Sequence, residues 1–221
     1  MCVSVDYALV PRAEVEAFVG HAQDFMARAA PDYAQGDDCT GMISERHQTR
    51  IGDMLTEARE RQTRVVVLGG EAIDDARRRL PITLIVDPAA DLRVMREEIF
   101  GPILPVVPYD DLDAAVAGIN AGDRPLGLYV FGDDTHLTDR VLAATTSGGA
   151  SVNTCAVQSA LPSMGFGGSG LSGMGRHHGI EGFREFSNQR GIVVRGTGDI
   201  IDAFYAPYAK AASVVEAALS G

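Results

Sequence analysis

Short runs of β-branched and other apolar residues recur along this chain with amphipathic helical segments between them, and that alternation constrains the fold most. Arg64 to Leu68 (RVVVL) is closed by Gly69-Gly70, and Pro81 to Val86 (PITLIV) is stopped by Asp87-Pro88. Ile103 to Val107 reads as a further strand, Leu126 to Phe131 is apolar again, and Ala150 to Asn153 is a short strand entering a long loop. Runs that are apolar on successive residues, not on alternate ones, suit strands covered on both faces. With helices between them they predict an α/β fold, a mostly parallel sheet flanked by helices.

The helices are read from spacing. Residues 13–30 place Val15, Phe18, Val19, Ala22, Phe25, Met26 and Ala29 on one stripe, with Pro11 at the entrance. Ser44 is the expected cap of a second helix running to about Gln62, with Ile51, Leu55 and Ala58 on its apolar side. Asp110 is the expected cap of a third, built on Leu112, Ala115, Val116 and Ile119 and ending near Gly122. Thr135 to Thr145 is a fourth, His178 to Phe186 a fifth, and a short helix follows Tyr205, Pro207 and Tyr208 near the end. Ile192 to Arg195 reads as a β-run between glycines.

Composition narrows the function. A formal net charge of -11 repels phosphate backbones and anionic lipid surfaces, so neither nucleic acid nor a membrane is an expected partner. No apolar stretch reaches the ~18 residues needed to span a bilayer, and the start MCVSVDYALVPR has no signal-peptide layout, so a cytoplasmic address is expected. The 3 cysteines, Cys2, Cys39 and Cys155, have neither disulfide-framework nor zinc-site spacing, and free thiols are expected. His177 and His178 are adjacent, so their side chains diverge and no metal is expected.

The long loop from Thr154 to Arg176 is rich in glycine and serine and is a candidate functional segment. It contains Gly168-x-Gly170-x-x-Gly173, the spacing of a dinucleotide phosphate loop. That loop needs a strand directly before it and an acidic residue ~20 positions on. Leu161-Pro162-Ser163-Met164 stands where the strand belongs, so the match is set aside.

Glu97-Glu98-Ile99-Phe100-Gly101-Pro102 joins two carboxylates, an aromatic residue and a Gly-Pro turn to a buried strand. Further on come LGLYVF at Leu126 to Phe131, SGGASVN at Ser147 to Asn153 and PSMGFGGSGLSGMGRHHG at Pro162 to Gly179. In this order the segments resemble the aldehyde dehydrogenase family, from Cys2 to about Lys210. The histidine after Gly175-Arg176, GFREFSNQR and FYAPYAK resemble its class 3 and coniferyl-aldehyde dehydrogenase branch.

The resemblance implies site residues and chemistry. Cys2, at the head of CVSVDYALVP, stands where the family has its cysteine nucleophile; Glu98 stands where a glutamate holds the ribose hydroxyls, and Phe100 where an aromatic ring lies beside the nicotinamide. Cys39 and Cys155 are left as structural. A thiolate adds to a small-molecule aldehyde, the thiohemiacetal passes a hydride to NAD or NADP, and the resulting thioester is hydrolysed to the acid. The family's general-base glutamate, its oxyanion-binding asparagine and its nucleotide-binding domain all precede the nucleophile, so an N-terminal half is expected to be missing. The implied division is a catalytic portion over residues 1–188, an oligomerisation-type strand over 189–199 and a tail over 200–221. A homo-oligomer, or a complement supplying the N-terminal half, is the expected partner.

Three alternatives stand beside the family reaction. The chain is a non-catalytic remnant, or one half of a split enzyme, or an amide hydrolase using an N-terminal cysteine exposed by loss of Met1.

Overall fold

Strand β3 (Ile82–Val86) is the pivot of the fold, because its side chains feed two separate apolar layers. Leu84 and Val86 point to one face, where they meet Val15, Val19 and Met26 of helix α1 (Val15–Ala29). Ile85 points to the other and meets Ile51, Met54, Leu55 and Ala58 of α2 (Glu45–Glu60). A strand with helices on both faces is apolar at nearly every position, which is why PITLIV shows no regular polar alternation; its one polar residue, Thr83, is buried with its hydroxyl donating to the Pro81 carbonyl at 3.2 Å. The computed structural model describes residues 1–196, 201 and 205–220.

The main sheet has the order β1-β4-β3-β2, with β1 at Ala8–Pro11, β2 at Arg64–Leu68 and β4 at Ile103–Tyr109. The β1–β4 and β3–β4 pairs are parallel and β2 runs antiparallel on the outer edge of β3. A second, two-stranded parallel sheet joins β5 (Gly127–Val130) to β6 (Gly149–Val152). The expected mostly parallel α/β architecture is therefore present, as a parallel-rich sheet flanked by helices. Strand β1 is shorter than the segment expected after Cys2, since residues 2–7 are turn and irregular chain.

Local signals place the helix starts. The Ser44 hydroxyl accepts from the His47 amide at 3.4 Å, as the capping reading requires. Helix α3 (Leu112–Ala121) corrects that reading by one residue: Asp111 is the cap, accepting from the Ala114 amide at 2.7 Å. Asp110 instead takes the Arg12 guanidinium, at 3.0 and 2.9 Å to its two oxygens. A cap must precede the first helical residue directly and reach the amide three positions on, and of these two acids only Asp111 does so. Helix α4 (Thr135–Ala144) is capped by Asp134, and α5 spans Gly179–Glu185.

The chain divides into two units, Met1–Glu185 and Phe186–Gly221. In the second, the described residues form a 3₁₀ turn at Tyr208–Lys210 and helix α6 (Ala211–Leu219). Ile192 to Arg195, read from sequence as a β-run, form no strand here, and Ile192, Val193 and Val194 are exposed. A β-branched run becomes a strand only where a neighbouring strand accepts its ladder, and none does so among the described residues. Positions 197–200 of the expected strand and tail, 202–204 and 221 lie outside the described residues.

Candidate active site

Two segments far apart in sequence form the candidate site. The first carries Cys2, whose free thiol is exposed in a turn closed by Ser4 N–H donating to the Met1 carbonyl at 3.1 Å. Val3, next along, is buried, and its carbonyl accepts from the Tyr129 hydroxyl at 2.7 Å. The chain is thus fixed to β5 within one residue of the thiol.

The second segment is Glu97 to Gly101, and it is tied on three sides. Asp6 accepts from the Ile99 amide at 3.0 Å, joining this segment to the one that begins at Cys2. Arg50 of α2 donates to the Glu98 carbonyl at 3.1 Å and to the Ile99 carbonyl in a short contact. Gly101 lies on Ile51, where an added Cβ would come 2.6 Å from Ile51 Cδ1. Between buried Ile99 and constrained Gly101, Phe100 takes φ +50 and is 52% exposed. Such a conformation is costly for a bulky residue and persists because both flanks are fixed.

The two carboxylates have separate fates. Glu97 accepts from Arg93 at 2.8 Å and lies 3.9 Å from Arg50. The Arg93 hydrogen bond first, then the charges of Arg93 and Arg50, hold its carboxyl below the usual glutamate range despite some burial. Glu97 is therefore a poor proton acceptor at neutral pH and a structural ion pair. Glu98 is exposed, and its carboxylate makes no hydrogen bond or ion pair among the described residues.

Sequence reasoning missed Arg50, Asp6 and Tyr129. Arg50 reads from sequence as one of many charges on the polar side of α2, and nothing local marks Asp6 or Tyr129. The Gly-rich loop holds no phosphate-loop geometry. Phe166 and His177 exchange two backbone hydrogen bonds, 2.7 and 2.9 Å, and a Cβ at Gly168 would sit 2.0 Å from the Ser172 carbonyl. Its glycines serve close backbone approach within the loop. Cys39 is buried, but Cys155, expected to be structural, is exposed. Among the described residues no group of three or more His, Cys, Asp or Glu is placed to hold a metal, and no helix is long and apolar enough to cross a membrane.

The chain is similar to known proteins in both sequence and fold. The family model described as "Aldehyde dehydrogenase family" matches residues 1–192. A probable coniferyl aldehyde dehydrogenase of Caulobacter vibrioides is 43% identical over 203 residues, covering 90% of this chain and 42% of that protein. Staphylococcus aureus AldH in its substrate-bound state superposes with a TM-score of 0.80 at 30% identity, over 97% of this chain and 46% of that one. A Mycobacterium tuberculosis aldehyde dehydrogenase complexed with NAD+ gives 0.76 at 27% identity, over 90% and 41%. The chain thus spans less than half the length of the relatives it matches. With the motifs in family order, the fold shared and nearly nine tenths of the chain matched, this chain belongs to the aldehyde dehydrogenase family.

Proposed function

We propose that the chain carries the thiol nucleophile and part of the cofactor face of an enzyme that oxidises a small-molecule aldehyde to a carboxylic acid. The observation that carries this reading is the tie through Asp6 between the exposed Cys2 segment and the loop that presents Glu98 and Phe100. Cys2 adds through its thiolate to the aldehyde carbon, and the backbone amide at Cys2 is a donor available to the resulting oxyanion. Glu98 would hold the ribose hydroxyls of NAD or NADP, and Phe100 the face of the nicotinamide. When bound, that cofactor supplies the hydride acceptor. Aromatic aldehydes of the coniferyl type are the proposed substrates, on the strength of the Caulobacter relative.

A second reading, one half of a split or oligomeric assembly, is favoured by the exposed apolar residues Leu171, Met174, Phe131 and Ile192 to Val194. A strand supplied by a second copy or a complementary chain would give Ile192 to Val194 the ladder they lack. The test of function is turnover of benzaldehyde, coniferyl aldehyde and hexanal with NAD+ or NADP+, followed by nicotinamide absorbance, with Cys2→Ala beside it. The chain by itself is expected to give no turnover, because Glu98 and Phe100 are only two of the contacts a dinucleotide needs. Turnover abolished by Cys2→Ala would support the chemistry and overturn that expectation. Turnover that survives Cys2→Ala would remove Cys2 from its role.

A further inference from the structure

Tyr129 reaches the Val3 carbonyl at the end of a chain of hydrogen bonds whose directions are all fixed. The Val3 carbonyl can only accept, so the Tyr129 hydroxyl donates its one proton there, at 2.7 Å. The Tyr129 oxygen is left as an acceptor and takes Gln158 Nε2 at 3.1 Å. That sets the Gln158 amide with Oε1 towards Ser151, whose hydroxyl donates to it at 3.0 Å. Gln158 is 3% exposed, so these partners replace water it cannot reach.

The seat for this relay is built into β5 and β6. Gly127 pairs directly with Gly149, and Tyr129 with Ser151, so all four positions share one face of the two-stranded sheet. A Cβ at Gly127 would come 2.7 Å from the Tyr129 hydroxyl and 3.3 Å from Gln158 Nε2; one at Gly149 would come 3.4 Å from Gln158 Cγ. The paired glycines leave the space that Tyr129 and Gln158 fill. A buried glutamine, a tyrosine and a serine wired in series onto one backbone carbonyl form a more specific arrangement than packing requires. Bonds in such a series also strengthen one another.

We propose that Tyr129 and Gln158 are positioning residues that set the backbone at Cys2-Val3 and, through it, the reactivity of the Cys2 thiol; the role rests on reading Cys2 as the nucleophile. Neither side chain has a part in the chemistry itself. The Tyr129 proton stays on its oxygen and holds the Val3–Ser4 peptide, and with the Val3 side chain also buried this anchors the residue that follows Cys2.

The test follows alkylation of each cysteine by iodoacetamide across pH, resolved by peptide mass spectrometry, in the whole chain. A synthetic peptide MCVSVDY serves as the unpositioned reference, and Cys155, also exposed, as the internal control. Wild-type Cys2 is expected to be alkylated at a rate different from that of the peptide. Tyr129→Phe and Gln158→Leu are expected to return it towards the peptide by about fivefold in rate, the weight of one neutral hydrogen bond. Ser151→Thr keeps the donor and should retain the wild-type profile. Val141→Ala, a buried change in α4, controls for general loss of stability and should leave Cys2 unchanged. The proposal is overturned if wild-type Cys2 already behaves as the peptide, if Tyr129→Phe leaves it unmoved, or if Val141→Ala shifts it equally. Alkylation needs neither aldehyde nor cofactor. A shifted Cys2 profile with no protection of Cys2 by coniferyl aldehyde would therefore keep the positioning role and remove the dehydrogenase reading, and protection by the aldehyde with an unshifted profile would do the opposite.

Discussion

Arg50→Ala is expected to lower the unfolding free energy by about 2 to 4 kcal/mol and to release the segment that carries Glu98 and Phe100. The guanidinium donates to two consecutive backbone carbonyls, at Glu98 and Ile99, and lies near the Glu97 carboxylate. Its side chain is largely buried, so removal leaves acceptors that water reaches poorly. Charge-assisted bonds to such groups contribute more than neutral ones. Arg50→Lys should recover less than half of the loss, since an ammonium cannot span two carbonyls as a planar fork does. Urea unfolding gives the stability, and amide exchange over residues 97–101 gives the local effect. A loss under about 0.5 kcal/mol with unchanged exchange would show that the segment holds itself.

Ile51→Ala should cost about 2 to 5 kcal/mol, because Ile51 of α2 is fully buried in the cluster that includes Ile85 of β3 and Ile99 of the site segment. Gly101→Ala should cost about 1 to 3 kcal/mol, since its methyl would meet Ile51 Cδ1 at 2.6 Å and Cγ1 at 2.8 Å. These two losses are coupled. Ile51→Ala removes the atoms that Gly101→Ala collides with, so the double variant should fall short of the summed losses by at least about 1 kcal/mol. Strict additivity in urea unfolding would mean that the segment shifts to admit the methyl. In that event Gly101 would not anchor the left-handed backbone at Phe100.

What was legible in the sequence was local. Ser44 announced its helix because a cap acts over three residues, and PITLIV announced a doubly covered strand because both faces show in one run. Glu98 and Phe100 were picked out by the resemblance of their segment, and of those that follow it, to a family, not by a local signal. The failures are non-local or one residue wide. Asp110 and Asp111 are indistinguishable until backbone geometry selects one. Ile192 to Arg195 have strand composition, but a strand also needs a neighbour. The antiparallel placement of β2 depends on pairing with β3, which no spacing within β2 records.

The supports of the site were hidden for the same reason. Asp6 meets Ile99 across 93 residues, and Tyr129 meets Val3 across 126. Neither residue type at its position signals a partner at that distance. Gln158, between Val157 and Ser159 in the long loop, carries no sequence signal of its role, and only its burial in the structure shows what the amide serves.

The most direct test of the central claim, that Cys2 is the nucleophile towards an aldehyde, is protection of each thiol from iodoacetamide by coniferyl aldehyde, measured site by site in the purified chain. Cys2 and Cys155 are both exposed, so reagent access does not separate them. Selective slowing of alkylation at Cys2, with Cys155 unaffected, is the result this account predicts. Equal slowing at both thiols, or slowing at Cys155 alone, would contradict it.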